Sequence, residues 1–439
     1  MLRDARIDLV LARVENDPNV INEIITHLDS EIRSVKFNSI LILGELGQKS
    51  ESALSKLIEC LSDNDWSICR ESVRSLGKMG NIAQKAVSGL SKLVKNDEVT
   101  IRKEVVISLG RIGYVSEETI SSLITALKDE NEEVRAEAAN SLGNLGPSAY
   151  GAISALIGAI RDYNWSVRTA AVNALSGIGR GALKALPILL NALEDKDWRV
   201  RKAAINTLSE MGSDAIPSLI KYIKHYNPIV KKSIIETFSE MKSSTPEILE
   251  ELSLSLKDNK KGIRGRAVNA LRNIGKPAIP TLIKNLNNPN KNIRSLVVWA
   301  LGKMGNDVKE VIPEIIKLLK DEKTVVRVET ARALGNLGPV ASDAVLALAE
   351  ALKDKKLRVR SESAIALGKI GKAASKVIPE LINALHDKKA EVRWRIAGSL
   401  AKIESDDPNV ITALKELLED KSELVVTIAL DSLDRLGVN

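Results

Sequence analysis

Aromatic residues are scarce in this chain. Two Phe, five Tyr and five Trp make up 3% of 439 residues, while overall hydrophobic content is 44%. That balance excludes a core built on aromatic rings and suits helices packed through Ala, Leu, Ile and Val. The two cysteines, Cys60 and Cys69, match no zinc or redox spacing and cannot support a disulfide framework. A reducing cytoplasm is the expected location. No apolar run is long enough to span a bilayer, and the start, Met1-Leu2-Arg3-Asp4-Ala5-Arg6, lacks the apolar segment of a signal peptide. Membrane insertion is therefore not expected. No P-loop, His-Glu-x-x-His or Cys-x-x-Cys motif occurs. A net charge of +7 permits nucleic acid or acidic partners without requiring them.

What the chain does have is a repeat. Val134-Arg135-Ala136-Glu137-Ala138-Ala139-Asn140-Ser141-Leu142-Gly143-Asn144-Leu145-Gly146 is its clearest copy, and thirteen copies follow one another. Taking the Val or Ile that opens the pattern as position zero, the anchors are Val35, Ile68, Ile101, Val134, Val167, Val200, Val230, Ile263, Ile293, Val326, Val359, Val392 and Val425. Ten of the twelve steps are 33 residues and two, Val200 to Val230 and Ile263 to Ile293, are 30. A period in this range indicates stacked supersecondary units rather than one globular core.

Positions 0, +4, +8 and +11 fall on one helical face and are apolar, with Leu at +8 in every unit but one, which has Phe238. This is the buried stripe of an amphipathic helix. Position −3 supplies N-caps in Asp65, Asn131, Asn164, Asp197, Asn227, Asn290 and Ser422. Gly at +12, as in Gly80, Gly113, Gly146 and Gly371, suits a left-handed helix cap. Gly at +9, as in Gly44, Gly143 and Gly302, is costly inside a helix and implies a close helix–helix contact. Pro187, Pro217, Pro280, Pro313 and Pro379 share a register that places them in the first turn of a preceding helix.

The expected architecture is therefore an all-α solenoid, a right-handed superhelix of thirteen helix–turn–helix repeats forming one continuous domain over residues 1–439. Residues 1–16 read as a degenerate N-terminal cap and residues 406–439 as a degenerate C-terminal repeat that caps the other end. Loss of three residues in the two short steps falls in the turns between units, where it costs least.

The pattern Val-Arg-x-x-Ala-x-x-x-Leu-Gly-x-Leu/Ile-Gly, preceded by Pro-x-Leu-Ile-x-x-Leu-x-Asp, resembles the HEAT-like repeats named after phycobilisome lyases. The resemblance covers nearly the whole chain. It implies an α-solenoid whose second helices line a concave surface. Members of this superfamily serve as scaffolds, bilin lyase subunits, iron hydroxylases and DNA glycosylases, so the fold does not fix the function. The hydroxylases use His-Glu pairs. Here His27, His225 and His386 precede Leu28, Tyr226 and Asp387, so neither that activity nor a bound metal or other cofactor is expected. A glycosylase would need an acid beside aromatics in a basic cleft, and although a few places can be fitted to that pattern, none is compelling.

Two patterns recur across the units. Arg or Lys occupies +1 in eleven units, including Arg102, Arg135, Arg168, Arg201, Arg327 and Arg360, and Asp occupies −5 in nine, including Asp63, Asp129, Asp162, Asp195, Asp321 and Asp387. A pair repeated this often reads as a structural ladder and not as nine catalytic sites. The second pattern lies on the second-helix face at −2, −1, +2, +3, +6 and +10. All five tryptophans fall there: Trp66, Trp165 and Trp198 at −2, Trp299 at +6 and Trp394 at +2. Trp and Arg are preferred anchors of interaction surfaces.

The second unit adds Arg70, Arg74 and Lys78 beside Trp66, and the third continues with Lys103 and Arg111. Asn140, Asn173, Asn206 and Asn269 share +6, a row of amides suited to peptide backbone. Lys202 accompanies Trp198, and Arg358, Lys369, Arg395 and Lys402 surround Trp394. Across this face 19 basic residues stand against 14 acidic ones, a small excess for a groove that tracks phosphates. The expected function is a monomeric, non-enzymatic scaffold that holds a protein partner along the concave face. The alternatives are a nucleic-acid-binding solenoid and a bilin-lyase-like or chaperone-like subunit.

Overall fold

The computed structural model describes residues 10, 12–14, 17, 19–224, 227–403 and 407–438, without the side chain of Arg180. The half-unit expected over residues 1–16 falls almost wholly outside the described residues, as do His225 and Tyr226. The chain divides into two compact units, Met1–Thr237 and Phe238–Asn439. Each is built of helix pairs, and no strand occurs among the described residues.

Within each repeat a short first helix, such as Ile153–Ala159 or Ile378–Ala384, precedes a longer second helix, such as Trp165–Ile178 or Ala390–Ile403. The apolar stripe is where its periodicity puts it. Leu76, Leu109, Leu142 and Leu175 at +8 are fully buried in the first compact unit, and Phe238, Leu271, Leu334 and Leu367 in the second. Burying each such side chain contributes about 1.5–3 kcal/mol. The N-cap reading holds at Asp65, Asn131, Asn164, Asp197 and Asn290, whose side chains accept backbone N–H bonds, and at Asn227, which accepts from Ile229 at 2.9 Å. Ser422 makes no such bond. There the carboxylate of Asp420 takes the Ser422 N–H at 2.8 Å.

The connections between repeats correct one expectation. Gly113, with φ 67° and ψ 8°, is a left-handed helical cap, whereas Gly47, Gly80, Gly179, Gly275, Gly338 and Gly371 are not. Gly371 shows the commoner form, φ 73° with ψ −139°. This region is nearly closed to residues with a Cβ, and it sends the chain straight into a 3₁₀ segment, Gly371–Val377. At the same position in the seventh repeat stands Lys242, the single non-glycine residue with positive φ among the described residues, at 50°. The two short steps are explained here. The 3₁₀ segment Gly212–Ala215 has 4 residues where Gly146–Ala152 has 7, and only Lys276–Ala278 follows Gly275.

Successive second helices meet at very short range. A Cβ on Gly143 would lie 2.8 Å from the Cα of Ala174, and one on Gly335 would lie 2.8 Å from that of Ala366. The partner position, +7 of the next repeat, is Ser, Thr or Ala in every unit after the first. Where it carries a hydroxyl, that group donates to a carbonyl of the preceding helix, except at Thr237, which bonds the Ser233 carbonyl of its own helix at 3.0 Å. Ser108 bonds the Val73 carbonyl at 2.9 Å, Ser141 that of Val106 at 2.8 Å and Ser399 that of Ala364 at 2.8 Å. The close contact inferred from Gly at +9 is thus real, and its small partner was the signal left unread.

The +1/−5 pattern is a structural ladder. Arg102, Arg135 and Arg168 reach Asp129, Asp162 and Asp195 of the next repeat, and Arg294, Arg327, Arg360 and Arg393 reach Asp321, Asp354, Asp387 and Asp420. Each pair is bidentate. In Arg327–Asp354 the Nε–Oδ2 and Nη2–Oδ1 distances are 2.7 and 3.1 Å. The remaining Nη1 donates to carbonyls of its own turn, in Arg327 those of Asp321 and Glu322 and in Arg360 and Arg393 a single one, of Asp354 and Asp387. Each Asp also accepts the backbone N–H two residues on, as Asp354 does from Lys356 at 2.7 Å. In the first rung Lys36 replaces Arg and meets Asp63 at 2.5 Å.

Burial works against ionisation of Asp321, Asp354 and Asp387. The hydrogen bonds from Arg294, Arg327 and Arg360 and from backbone outweigh it, and all three carboxyls are held below the ordinary 3.8. For Asp420 the bond from Arg393 is the largest influence, in the same direction.

Three outcomes follow for stability. In urea unfolding, Gly143→Ala is expected to lower the midpoint, by about 1–3 kcal/mol of overpacking, while Lys242→Gly raises it by roughly 1 kcal/mol of relieved backbone strain. Asp354→Ala strands a buried guanidinium and is expected to cost about 3–5 kcal/mol, against a far smaller loss for Glu133→Ala in a solvent-screened, exposed pair. Because the carboxyls of Asp321, Asp354, Asp387 and Asp420 are depressed on folding, their contribution is complete above the unfolded value and is lost as pH falls through the folded ones. An acid titration of the melting temperature should therefore be flat above about pH 5 and fall steeply below it. A flat profile through pH 3 would contradict the ladder's role.

Candidate interaction face

The second-helix face is narrower than its sequence positions imply. Neighbouring second helices stand side by side, so their flanks turn inward. Glu71 and Glu104 at +3 are buried, as are Ala170 and Ala203. The open positions are mainly −2, −1 and +10, and +6 is exposed only at Asn140, Asn173, Asn206 and Asp431. Trp66, Trp165 and Trp198, each at the first turn of its helix, are 48%, 39% and 64% exposed. Trp299 and Trp394, at +6 and +2, are half-buried. The five rings therefore do not form one equivalent set.

Every one of them carries an arginine. Arg70 lies over Trp66 at 5.2 Å from the ring centroid, Arg272 over Trp299 at 5.4 Å and Arg395 over Trp394 at 4.3 Å. Arg199 stacks on Trp165 at 3.4 Å and approaches Trp198 at 5.9 Å, so one guanidinium joins two repeats. Asp197 orients it, accepting from its Nη2 at 2.8 Å. The hydrogen bonds from the Arg199 side chain and backbone pull the Asp197 carboxyl down to about 2. Tyr163, 72% exposed, lies over the rung arginine Arg135 at 4.9 Å. Tyr163, Trp165, Trp198 and Arg199 thus build a local aromatic–cation patch. Arg199 and Arg272 were not among the residues singled out from the sequence, and only the structure shows which rings they cover.

The basic stripe of the second and third repeats is largely neutralised. Arg74 pairs with Glu71 and with Glu104 at 3.5 and 3.3 Å, Lys78 with Glu45 at 2.6 Å and Lys103 with Glu133 at 2.6 Å. Lys202 meets Glu236 at 3.2 Å. Arg111 is exposed. The Glu133 hydrogen bond lifts the Lys103 ammonium above its usual value. Most of these partners lie 30 or 33 residues away, one repeat along, so the sequence did carry the signal. The stripe is an internal network more than a free positive surface.

Asn140, Asn173 and Asn206 are exposed on three consecutive second helices of the first compact unit. Asn269, in the second, is half-buried and donates to the Gly265 carbonyl at 2.9 Å. Near the C-terminus Gly398 opens a cavity of about 240 Å³ lined by Trp394, Arg395, Lys402, Asp431 and Arg435. Arg395 also lies 3.7 Å from Glu391. Among the described residues no helix is long and apolar enough to cross a membrane, and no cluster of three or more His, Cys, Asp or Glu is placed to hold a metal.

The family model for HEAT repeats matches residues 54–133, 120–191, 153–239, 186–260, 249–322, 312–377 and 372–434. The chain belongs to the HEAT-repeat family. Its HEAT repeats also have solved counterparts. The structure of Kap121p bound to Ste12p matches with a TM-score of 0.59 and 17% identity over 95% of this chain and 52% of that one. The karyopherin Kap121p bound to the SUMO protease Ulp1p matches with 0.58 and 17% over 96% and 53%. This chain spans about half the length of those relatives, and likeness at that identity establishes a shared HEAT solenoid fold. No curated protein sequence matches it.

Arg199→Ala is expected to uncover the inner face of Trp165. Acrylamide quenching of tryptophan fluorescence should rise while the melting temperature changes little. Unchanged quenching would show that the stack does not shield the ring in solution.

Proposed function

We propose that this HEAT-repeat protein is a protein-interaction scaffold that holds an extended partner along its second-helix face, the side expected to be concave. The observation that carries this reading is the register shared by Trp66, Trp165 and Trp198. Three large rings stand exposed at the same point of three repeats, with arginines behind them. Rigid aromatic groups backed by guanidinium are the usual energetic anchors of an interface, and exposing them without a partner has no folding benefit. Asn140, Asn173 and Asn206 add donors and acceptors on the same face for a polypeptide backbone.

The pairing of Arg74, Lys78, Lys103 and Lys202 with glutamates supports a protein partner over a phosphate chain, because a phosphate-tracking groove depends on uncompensated positive charge. The structures of Kap121p bound to Ste12p and to Ulp1p support the reading in kind: an α-solenoid of this type holds other proteins. The resemblance of the repeats to the phycobilisome-lyase type carries no activity into it.

The test is capture from a lysate of the protein's own cells, with and without nuclease. Wild type should retain a stoichiometric protein that survives nuclease. Trp66→Ala/Trp165→Ala/Trp198→Ala should lose it by more than about tenfold, with helicity unchanged and melting within a few degrees. Trp299 and Trp394 are unsuitable for this purpose, because half-buried rings also carry packing energy. Undiminished capture by the triple variant, or protein recovery that vanishes with nuclease, would defeat the proposal.

A further inference from the structure

Between Asn259 and Asn306 the chain carries ten Lys and Arg residues and no Asp or Glu. This stretch holds the second helices of the eighth and ninth repeats, Lys261–Ile274 and Lys291–Leu301. Elsewhere a basic side chain on this face meets a carboxylate one repeat along, as Arg74 meets Glu104 and Arg332 meets Glu362 at 2.6 Å. The second-helix faces of the eighth and ninth repeats carry no carboxylate of their own. Lys261, Lys291 and Lys303 are exposed and form no ion pair among the described residues. Lys303 does lie in the field of Glu329, but that carboxylate is engaged by Arg332 at 3.0 Å.

A second, independent observation falls at the same place. Arg264 occupies the rung position of the eighth repeat, and its Nη1 donates to the carbonyls of Asp258 and Asn259 at 2.8 and 2.9 Å, as other rung arginines do. The residue that should receive the rest of the guanidinium is Asn288 rather than Asp. Asn288 still performs part of the task, since its Oδ1 accepts the Asn290 N–H at 3.0 Å. Its amide nitrogen, where an aspartate would offer the second oxygen, instead donates to Asn285 at 3.3 Å. Two donors cannot pair, and the Nε of Arg264 is buried without a partner. A buried donor left unmade is costly, and a planar carboxylate is the group its fork geometry fits.

Resting on the scaffold reading above, we propose that the eighth and ninth repeats bind an acidic, extended polypeptide segment of the partner. One carboxylate of that segment displaces the Asn288 side chain to reach Arg264 at the rung position, and others face Lys261 and Lys291. The acid-free stretch is confined to two repeats, which suits a short acidic segment more than a nucleic acid strand. The half-buried ring of Trp299, covered by Arg272, is a poor platform for a base.

The test is fluorescence anisotropy of the full chain with a labelled peptide of alternating Glu and Ser, against a single-stranded oligonucleotide of equal net charge. The peptide should bind more tightly than the oligonucleotide. Lys261→Glu/Lys291→Glu should weaken it by about tenfold or more. Asn288→Asp supplies the missing carboxylate from within. It should raise the melting temperature and weaken the peptide by at least about threefold, a loss of one charge-assisted contact. Asn292→Asp adds the same charge away from the rung and should weaken it less. Equal losses in Asn288→Asp and Asn292→Asp, no loss in Asn288→Asp, tighter oligonucleotide binding, or no peptide binding would each overturn the proposal. The assay needs no native partner, so its failure leaves the capture experiment standing, and failure of that capture leaves this result standing.

Discussion

The bidentate bond from a buried arginine to the aspartate of the next repeat is the interaction on which the order of these helices depends. A single guanidinium closes its own turn through two carbonyls and grips the following turn through two carboxylate oxygens, as Arg327 does with Asp354. A buried charge is costly unless its donors are satisfied. The geometry therefore leaves little freedom in the spacing between adjacent repeats. Apolar stripes supply most of the driving force, but Leu against Leu tolerates sliding, whereas a planar fork on a planar carboxylate does not.

With spacing fixed at one edge, the glycine contacts fix it at the other. Gly143 against Ala174 and Gly335 against Ala366 bring helix backbones together at distances no larger residue allows, and hydroxyls such as Ser141 bond across the seam. Rung and seam lie at different levels of the same helix pair. Between them the second helices are held rigidly enough for exposed residues at −2 to form a row. The candidate face is thus a consequence of contacts that themselves have nothing to do with a partner.

Much of this was legible in the sequence because repetition turns weak signals into strong ones. Leu at +8, the caps at −3, the prolines and the Arg–Asp pairing could each be read from their recurrence. The location of the three-residue deletions followed from the same alignment. The candidate site was less legible, because its properties are set between repeats. Nothing local distinguishes the exposed Trp198 from the half-buried Trp299, since exposure depends on the neighbours each ring meets. Arg70, Arg74 and Lys78 look like a free basic stripe when read along one helix. The pairing of Arg74 and Lys78 appears when Glu104 and Glu45, one repeat away, are placed beside them, while Arg70 lies over the Trp66 ring. Arg199, which bridges Trp165 and Trp198, has no recurrence to announce it.

The pairing of glycine at +9 with a small residue at +7 also has a consequence for how such chains change. A repeat that ends in the glycine can be followed only by one that presents Ser, Thr or Ala at the seam. Interior repeats satisfy that rule with respect to one another, so a duplication or exchange of whole units among them would keep the helices in phase. The first full unit presents Ile42 at that position and would not fit behind any +9 glycine. The seam therefore acts as a coupling code that marks which modules are interchangeable, written in residue size alone.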